Sequence, residues 1–246
     1  MIMTSRRYIA VLFWLSFLVP LQSYAAFNDA GEQQQTLPST YVSYMALGDS
    51  LAAGYKAVPV TEGYVYRIYR SGVIAPIRNL LFSDAGVPSV TSKQVLDYQV
   101  PQAIDAFRPD VITITVGGND LLSILNGADP NTILANFQTN LMQILQKLRT
   151  ALPHSRIYIS NLYTVPQIAG ADQIVPIFNQ IVGQVAAEFN VPVADVYDAF
   201  LGRPELLLIN RPGAAPDEAH PTNAGYGVMA AVFEKLMISD THRGDE

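Results

Sequence analysis

Three short stretches hold residue types that could act together on a carbonyl group: Gly48-Asp49-Ser50-Leu51, Gly117-Gly118-Asn119-Asp120 and Asp217-Glu218-Ala219-His220. A serine hydroxyl is a useful nucleophile only when a base takes its proton. His220 is the convincing base, because His154 sits in the connection Leu152-Pro153-His154-Ser155 and His242 lies in a charged tail. Asp217 and Glu218 both stand close before His220. Either carboxylate could accept a hydrogen bond from one imidazole nitrogen, fixing the tautomer and leaving the other nitrogen for Ser50. An attacked carbonyl also needs donors for the charge that develops on its oxygen. The Ser50 backbone N–H and the Asn119 side-chain amide are candidates, with Asn119 presented by Gly117 and Gly118. Asp49 and Asp120 read as turn aspartates that hold these segments through nearby N–H groups.

These groups need rigid elements to bring them together. Val42 to Leu47 is an apolar run of strand length, and Gly48 permits a sharp turn that delivers Ser50 past the strand's carboxyl end. Val111-Ile112-Thr113-Ile114-Thr115-Val116 is β-branched at every position, the composition of a central strand, and it ends at Gly117. Ile157 to Leu162 and Val191 to Val196 read as further strands. Helices are expected over Gly63 to Ile74, from Ser92 onward with a restart or kink at Pro101, over Asn131 to Thr150, over Ile174 to Phe189 and over Asn223 to Leu236. Ser83 to Val90, with Asp84, Gly86 and Pro88, reads as a loop. Alternating strands and helices imply an α/β fold, with a mostly parallel central sheet between two helical layers.

Composition narrows the function classes. The chain has 246 residues, 50% of them hydrophobic, enough for one domain with a sizeable core. A net charge of -6 with no basic stripe argues against nucleic acid as a partner. With no cysteine there are no disulfides or thiolate metal sites, and three scattered histidines argue against zinc. Residues 1–25 have the plan of a cleaved signal peptide: Arg6 and Arg7, an apolar run from Ile9 to Leu21, and small residues before Ala26. The mature protein is therefore expected in the periplasm or secreted. Residues 26–40 are polar and Gln-rich and read as a flexible leader, 41–238 as the domain and 239–246 as a charged tail.

Taken in order and at their separations, the three motifs resemble the blocks of the GDSL, or SGNH, hydrolase family of esterases and lipases, across residues 41–237. The resemblance implies a flavodoxin-like three-layer α/β/α sandwich. It also implies a triad of Ser50, His220 and Asp217, in which the family pattern gives the orienting role to Asp217 rather than Glu218. The family adds a third oxyanion donor, a glycine N–H from another block. Here Gly86-Val87-Pro88-Ser89-Val90-Thr91-Ser92 resembles that block, but Ser89 stands where glycine is usual. The implied oxyanion hole is Ser50, Ser89 and Asn119, with Gly86 as the alternative donor. No metal or organic cofactor is called for. The implied substrate is a small-molecule or lipid ester. Tyr64, Tyr66 and Tyr69, with Ile68 and Val73, read as an ordinary half-buried helix or, alternatively, as the lining of an acyl groove or a surface that touches lipid. A carbohydrate O-acetyl esterase or a thioesterase would use the same site, and a non-catalytic binding protein is the rival from another class.

Overall fold

The structure is a computed structural model and describes residues 41–215 and 218–243. The expected signal peptide and leader, and Asp217, lie outside the described residues.

Five strands form one sheet: β1 (Val42–Gly48), β2 (Leu80–Asp84), β3 (Val111–Thr115), β4 (Arg156–Ser160) and β5 (Val193–Ala194). Their spatial order is β2-β1-β3-β4-β5, and every neighbouring pair is parallel. Alternate residues face opposite layers, as the two-residue period of a strand requires. Met45, Leu47, Ile112 and Ile114 pack against an irregular helix α2 (92–107), α3 (Gly118–Leu125), α4 (Pro130–Ala151) and α5 (Ala171–Glu188). Tyr44, Ala46, Val111 and Tyr158 pack against α1 (Tyr64–Ser71), α6 (Val196–Phe200) and α7 (Asn223–Arg243). The result is the expected three-layer α/β/α arrangement, with its sheet buried on both faces.

The long α4 shows why its residues form a helix. Asp129 caps it by accepting from the Thr132 N–H at 2.8 Å, and Pro130 occupies the first turn, where no N–H is needed. Phe137, Leu141, Ile144, Leu145 and Leu148 then recur at helical spacing and are fully buried. Truncating one such side chain to alanine typically costs about 2–5 kcal/mol.

Some boundaries differ from expectation. β2 begins ahead of the segment expected as a loop, and it is a half-exposed edge strand without an unbroken apolar run. β5 is only two residues long, immediately after Pro192, which has no N–H to give a ladder. The helix from Ser92 does not break at Pro101: it continues through wide π-type turns to Phe107. α7 runs past Leu236 to Arg243, and Asp240 accepts a hydrogen bond from the Tyr158 hydroxyl at 2.9 Å.

Chain order supplies the crevice. After β1 the chain crosses to β2 on one side and later returns to β3 on the other. In an open parallel sheet, such a reversal of strand order opens a cleft beyond the carboxyl ends of the two strands. Ser50 follows β1 and Gly117 to Asn119 follow β3.

Candidate active site

The turn that carries Ser50 is built by Gly48 and Asp49. Gly48 has φ of 144°, and a side chain there would put Cβ 2.1 Å from the Thr115 carbonyl oxygen. Both backbone groups of Gly48 are clasped by one side chain: Gln99 Oε1 accepts from its N–H at 2.7 Å, and Gln99 Nε2 donates to its carbonyl at 2.9 Å. Asp49 is buried, and its Oδ1 accepts from the Leu51 N–H at 3.0 Å and the Thr115 hydroxyl at 3.3 Å. Burial outweighs these bonds and raises its carboxyl to about 6. One helical turn follows, with the Tyr55 N–H donating to the Ser50 carbonyl at 2.9 Å.

His220 arrives from the other end of the chain. Its loop is fixed by an antiparallel bridge, in which the Leu208 N–H donates to the His220 carbonyl at 2.9 Å and the Thr222 N–H to the Leu206 carbonyl at 2.7 Å. His220 Nε2 lies 2.9 Å from Ser50 Oγ, and Nδ1 lies 2.5 Å from Glu218 Oε1. An ionised carboxylate only accepts, so Nδ1 carries the hydrogen and Nε2 offers its lone pair to the serine hydroxyl. Burial pushes the Glu218 carboxyl up, but hydrogen bonds from the His220 ring and backbone, with Lys56 beside them, hold it below the ordinary glutamate value. Among the described residues, the carboxylate on the imidazole is that of Glu218. Asp217, to which the family pattern gave this place, lies outside the described residues.

The donors converge on the same corner. The Ser50 and Ser89 N–H groups take no acceptor among the described residues. Asn119 Nδ2 donates one hydrogen to the Val90 carbonyl at 2.8 Å, which fixes the amide and leaves its second hydrogen for the cleft it lines. Ser89 adopts φ of 69°, the left-handed region that glycine enters freely, so serine here keeps the glycine-like backbone at a cost of about 1 kcal/mol. The Gly86 N–H is already taken by Asp84 at 2.9 Å, which leaves Ser89 as the free donor of that segment. Asp120 ties the donor segments together: it accepts from the Ser92 N–H at 2.9 Å and the Ser92 hydroxyl at 2.6 Å. Asn140 supports Ser92 in turn, with Nδ2 donating to its hydroxyl at 3.0 Å.

A cleft of about 370 Å³ opens from Ser50 and His220. Its inner wall is apolar, formed by Leu121, Leu122 and Leu125 of α3, Val165 and Ile168 of the loop after β4, and Val175 of α5. The tyrosine-rich segment is not part of it. Tyr64 and Ile68 are buried in the layer with α7, where Tyr64 stacks on Phe233, and Tyr66 and Tyr69 pack on Phe82. The i, i+4 apolar spacing of α1 served the core, as such a stripe commonly does. Sequence reasoning missed Gln99, yet a signal existed: Val95, Leu96, Val100 and Ala103 make a buried stripe, and Gln99 is the polar residue on it. It also missed Tyr55, whose ring meets the His220 ring edge-on at 4.8 Å, and the cleft wall, which no local pattern marks.

Comparisons with known proteins bear on the family and the fold. Residues 46–228 match the model of the GDSL-like Lipase/Acylhydrolase family. The chain is 30% identical over 211 residues to the spore germination lipase LipC of Bacillus licheniformis, covering 79% of this chain and 94% of that protein. It is similar to a lipase structure from a goat rumen metagenome, with 26% identity, a TM-score of 0.64, and coverage of 79% of this chain and 96% of that one. An acetylxylan esterase of Geobacillus stearothermophilus, at 17% identity and TM-score 0.65 over 80% of this chain and 94% of that one, shares the fold.

Proposed function

The chain belongs to the GDSL-like lipase/acylhydrolase family, and from that premise we propose that it is a serine hydrolase of carboxylic esters with aliphatic acyl chains. The observation that carries this reading is the 2.9 Å contact between Ser50 Oγ and His220 Nε2 at the mouth of an apolar cleft. Ser50 attacks the ester carbonyl while Nε2 takes its proton. The oxyanion is held by the Ser50 and Ser89 N–H groups and the Asn119 amide. His220 then gives the proton to the leaving alkoxide, so an alcohol departs and the acyl group stays on Ser50. Water, deprotonated by Nε2, attacks the acyl carbon, and the proton returns to Ser50 as the acid leaves. The contact at Nδ1 supports Glu218 as the carboxylate that orients the imidazole.

Hydrolysis of p-nitrophenyl esters from acetate to palmitate tests the proposal. Each methylene that reaches the apolar wall should raise kcat/KM by up to about fourfold, the equivalent of about 0.8 kcal/mol, until the cleft is full. Ser50→Ala should lose about 10⁴-fold or more in kcat. Glu218→Gln and Asp217→Asn, made separately, decide which carboxylate orients the imidazole: the one that does should lose at least about 10²-fold. Near-normal turnover in folded Ser50→Ala sinks the mechanism. Activity confined to acetate would overturn the aliphatic specificity in favour of an O-acetyl esterase.

A further inference from the structure

A tetrahedral centre on Ser50 carries three further groups, and each needs its own surroundings. On the proposed mechanism the oxyanion points at the Ser50, Ser89 and Asn119 donors, and the acyl chain runs along the apolar wall. The leaving oxygen must lie within reach of His220 Nε2, which returns a proton to it. The alcohol attached to that oxygen therefore passes beside the His220 ring. Tyr55 stands there. Its ring centroid lies 4.8 Å from that of His220 with 65° between the planes, and it lines the cleft as Ala219 does. Leu121 and Val175 of the acyl wall pack in the layer of α2 to α5. Tyr55 is tied to the opposite layer, its carbonyl accepting from the Tyr226 hydroxyl of α7 at 2.6 Å, while its N–H donates to the Ser50 carbonyl at 2.9 Å. Both backbone groups thus fix it against the site. Lys56 Nζ stands over the ring, 5.2 Å from its centroid, yet Tyr55 stays 42% exposed, whereas Tyr64 and Tyr226 are core residues with no exposure.

We propose that Tyr55 is the specificity residue for the alcohol half of the ester, a platform on which the leaving alcohol lays a flat apolar face, either an aromatic ring or the C–H face of a sugar ring. The proposal rests on the Ser50-His220 reading and deepens it from the acyl half of the substrate to the alcohol half. An aromatic alcohol meets a tyrosine ring in an offset-stacked or edge-on pair, which contributes beyond the area it buries. The C–H hydrogens of a sugar ring face the same electron-rich surface as the edge of an aromatic ring does. Ethanol is too small to cover the ring and gains little from it. The two halves of the ester are then read by separate surfaces, the acyl chain by aliphatic side chains and the alcohol by one tyrosine.

The test holds the acyl group at butyrate and varies the alcohol, with phenyl butyrate, a butyrylated methyl glucoside and ethyl butyrate as substrates. Wild type, Tyr55→Phe, Tyr55→Leu and Tyr55→Met are compared in the full-length chain, and released butyric acid is followed by pH-stat. The quantity compared is kcat/KM, because it covers the steps up to departure of the alcohol and leaves out the attack of water. In Tyr55→Leu and Tyr55→Met, kcat/KM on the phenyl ester, the sugar ester or both should fall about three- to tenfold relative to ethyl butyrate. A loss on one of them alone identifies which flat alcohol the platform takes. Tyr55→Phe keeps the ring and should keep the wild-type ratios within twofold. The acyl-length profile at a fixed alcohol should keep its shape in all variants. A thermal melt checks folding, and the two ring-less variants must agree. An equal loss on all three esters overturns the proposal, because Tyr55 would then act only by supporting His220. So do unchanged ratios, or a change confined to the acyl-length profile. Those outcomes leave the Ser50 mechanism standing, since that falls only if folded Ser50→Ala stays active.

Discussion

At the scale of single residues, Ser89 is where chemistry and backbone conformation meet. On the proposed mechanism its N–H is an oxyanion donor, and the φ of 69° at that position suits glycine better than serine. Ser89→Gly should therefore keep full activity and change stability by no more than about 1 kcal/mol. Ser89→Pro removes the N–H and cannot adopt a positive φ. It should lose about 10²–10³-fold in kcat, the usual consequence of losing one such donor. Equal kcat for the two variants, both folded by circular dichroism, would remove Ser89 from the oxyanion hole. The same scale explains how the site could be partly read from sequence. Ser50, Asn119 and His220 stand in short motifs whose chemistry is local. Spacing alone leaves the neighbouring acids at positions 217 and 218 both open as the partner of His220, and only the family pattern chooses between them.

At the scale of elements, the nucleophile turn depends on a helix three elements further along the chain. α2 carries Gln99 to Gly48 from a stretch of π-type turns, and Gln99 is 4% exposed. The Gly48 carbonyl has a second partner in the Val87 N–H at 3.1 Å, but no second partner is seen for the Gly48 N–H among the described residues. Gln99→Met keeps the volume and leaves that donor buried and unpaired, which costs about 1–3 kcal/mol. Urea unfolding should register this loss, and kcat should fall more than KM rises, because the turn positions Ser50. Unchanged unfolding would show that the clasp contributes nothing. This clasp also shows why elements were more legible than their couplings. β3 and α4 announce themselves by β-branching and by a long three- and four-residue period. The edge strand β2, the two-residue β5 and the passage of α2 through Pro101 are set by neighbours distant in the chain, so propensity alone misplaces them.

At the scale of the whole molecule, two buried carboxylates, Asp49 and Asp120, and the half-buried Asp84 lie around the nucleophile end of the sheet. Burial raises Asp49 and Asp84 to about 6 each, and raises Asp120 as well. A raised folded-state value means that the folded protein holds a proton which the unfolded chain would release. The stability this contributes is full below about pH 4 and is lost as pH rises through about 6. Asp49→Asn and Asp84→Asn carry no such proton. Measured by urea unfolding, their stability relative to wild type should therefore improve between pH 4 and pH 7.5, by about 1–3 kcal/mol each. A gap that stays constant with pH would contradict the raised values. Glu218 is held low, so it has the opposite sign, favouring the fold as pH rises.

The bridge between Leu207 and Pro221 has a consequence for the life of the polypeptide. Ser50 and His220 are 170 positions apart, and the histidine comes into range only when the segment before α7 has docked. A ribosome-bound or half-unfolded chain with that segment loose carries a hydroxyl with no base, and is inert toward esters on the proposed mechanism. Turnover in this protein is therefore also a census: it counts only those molecules in which the two ends of the domain have met.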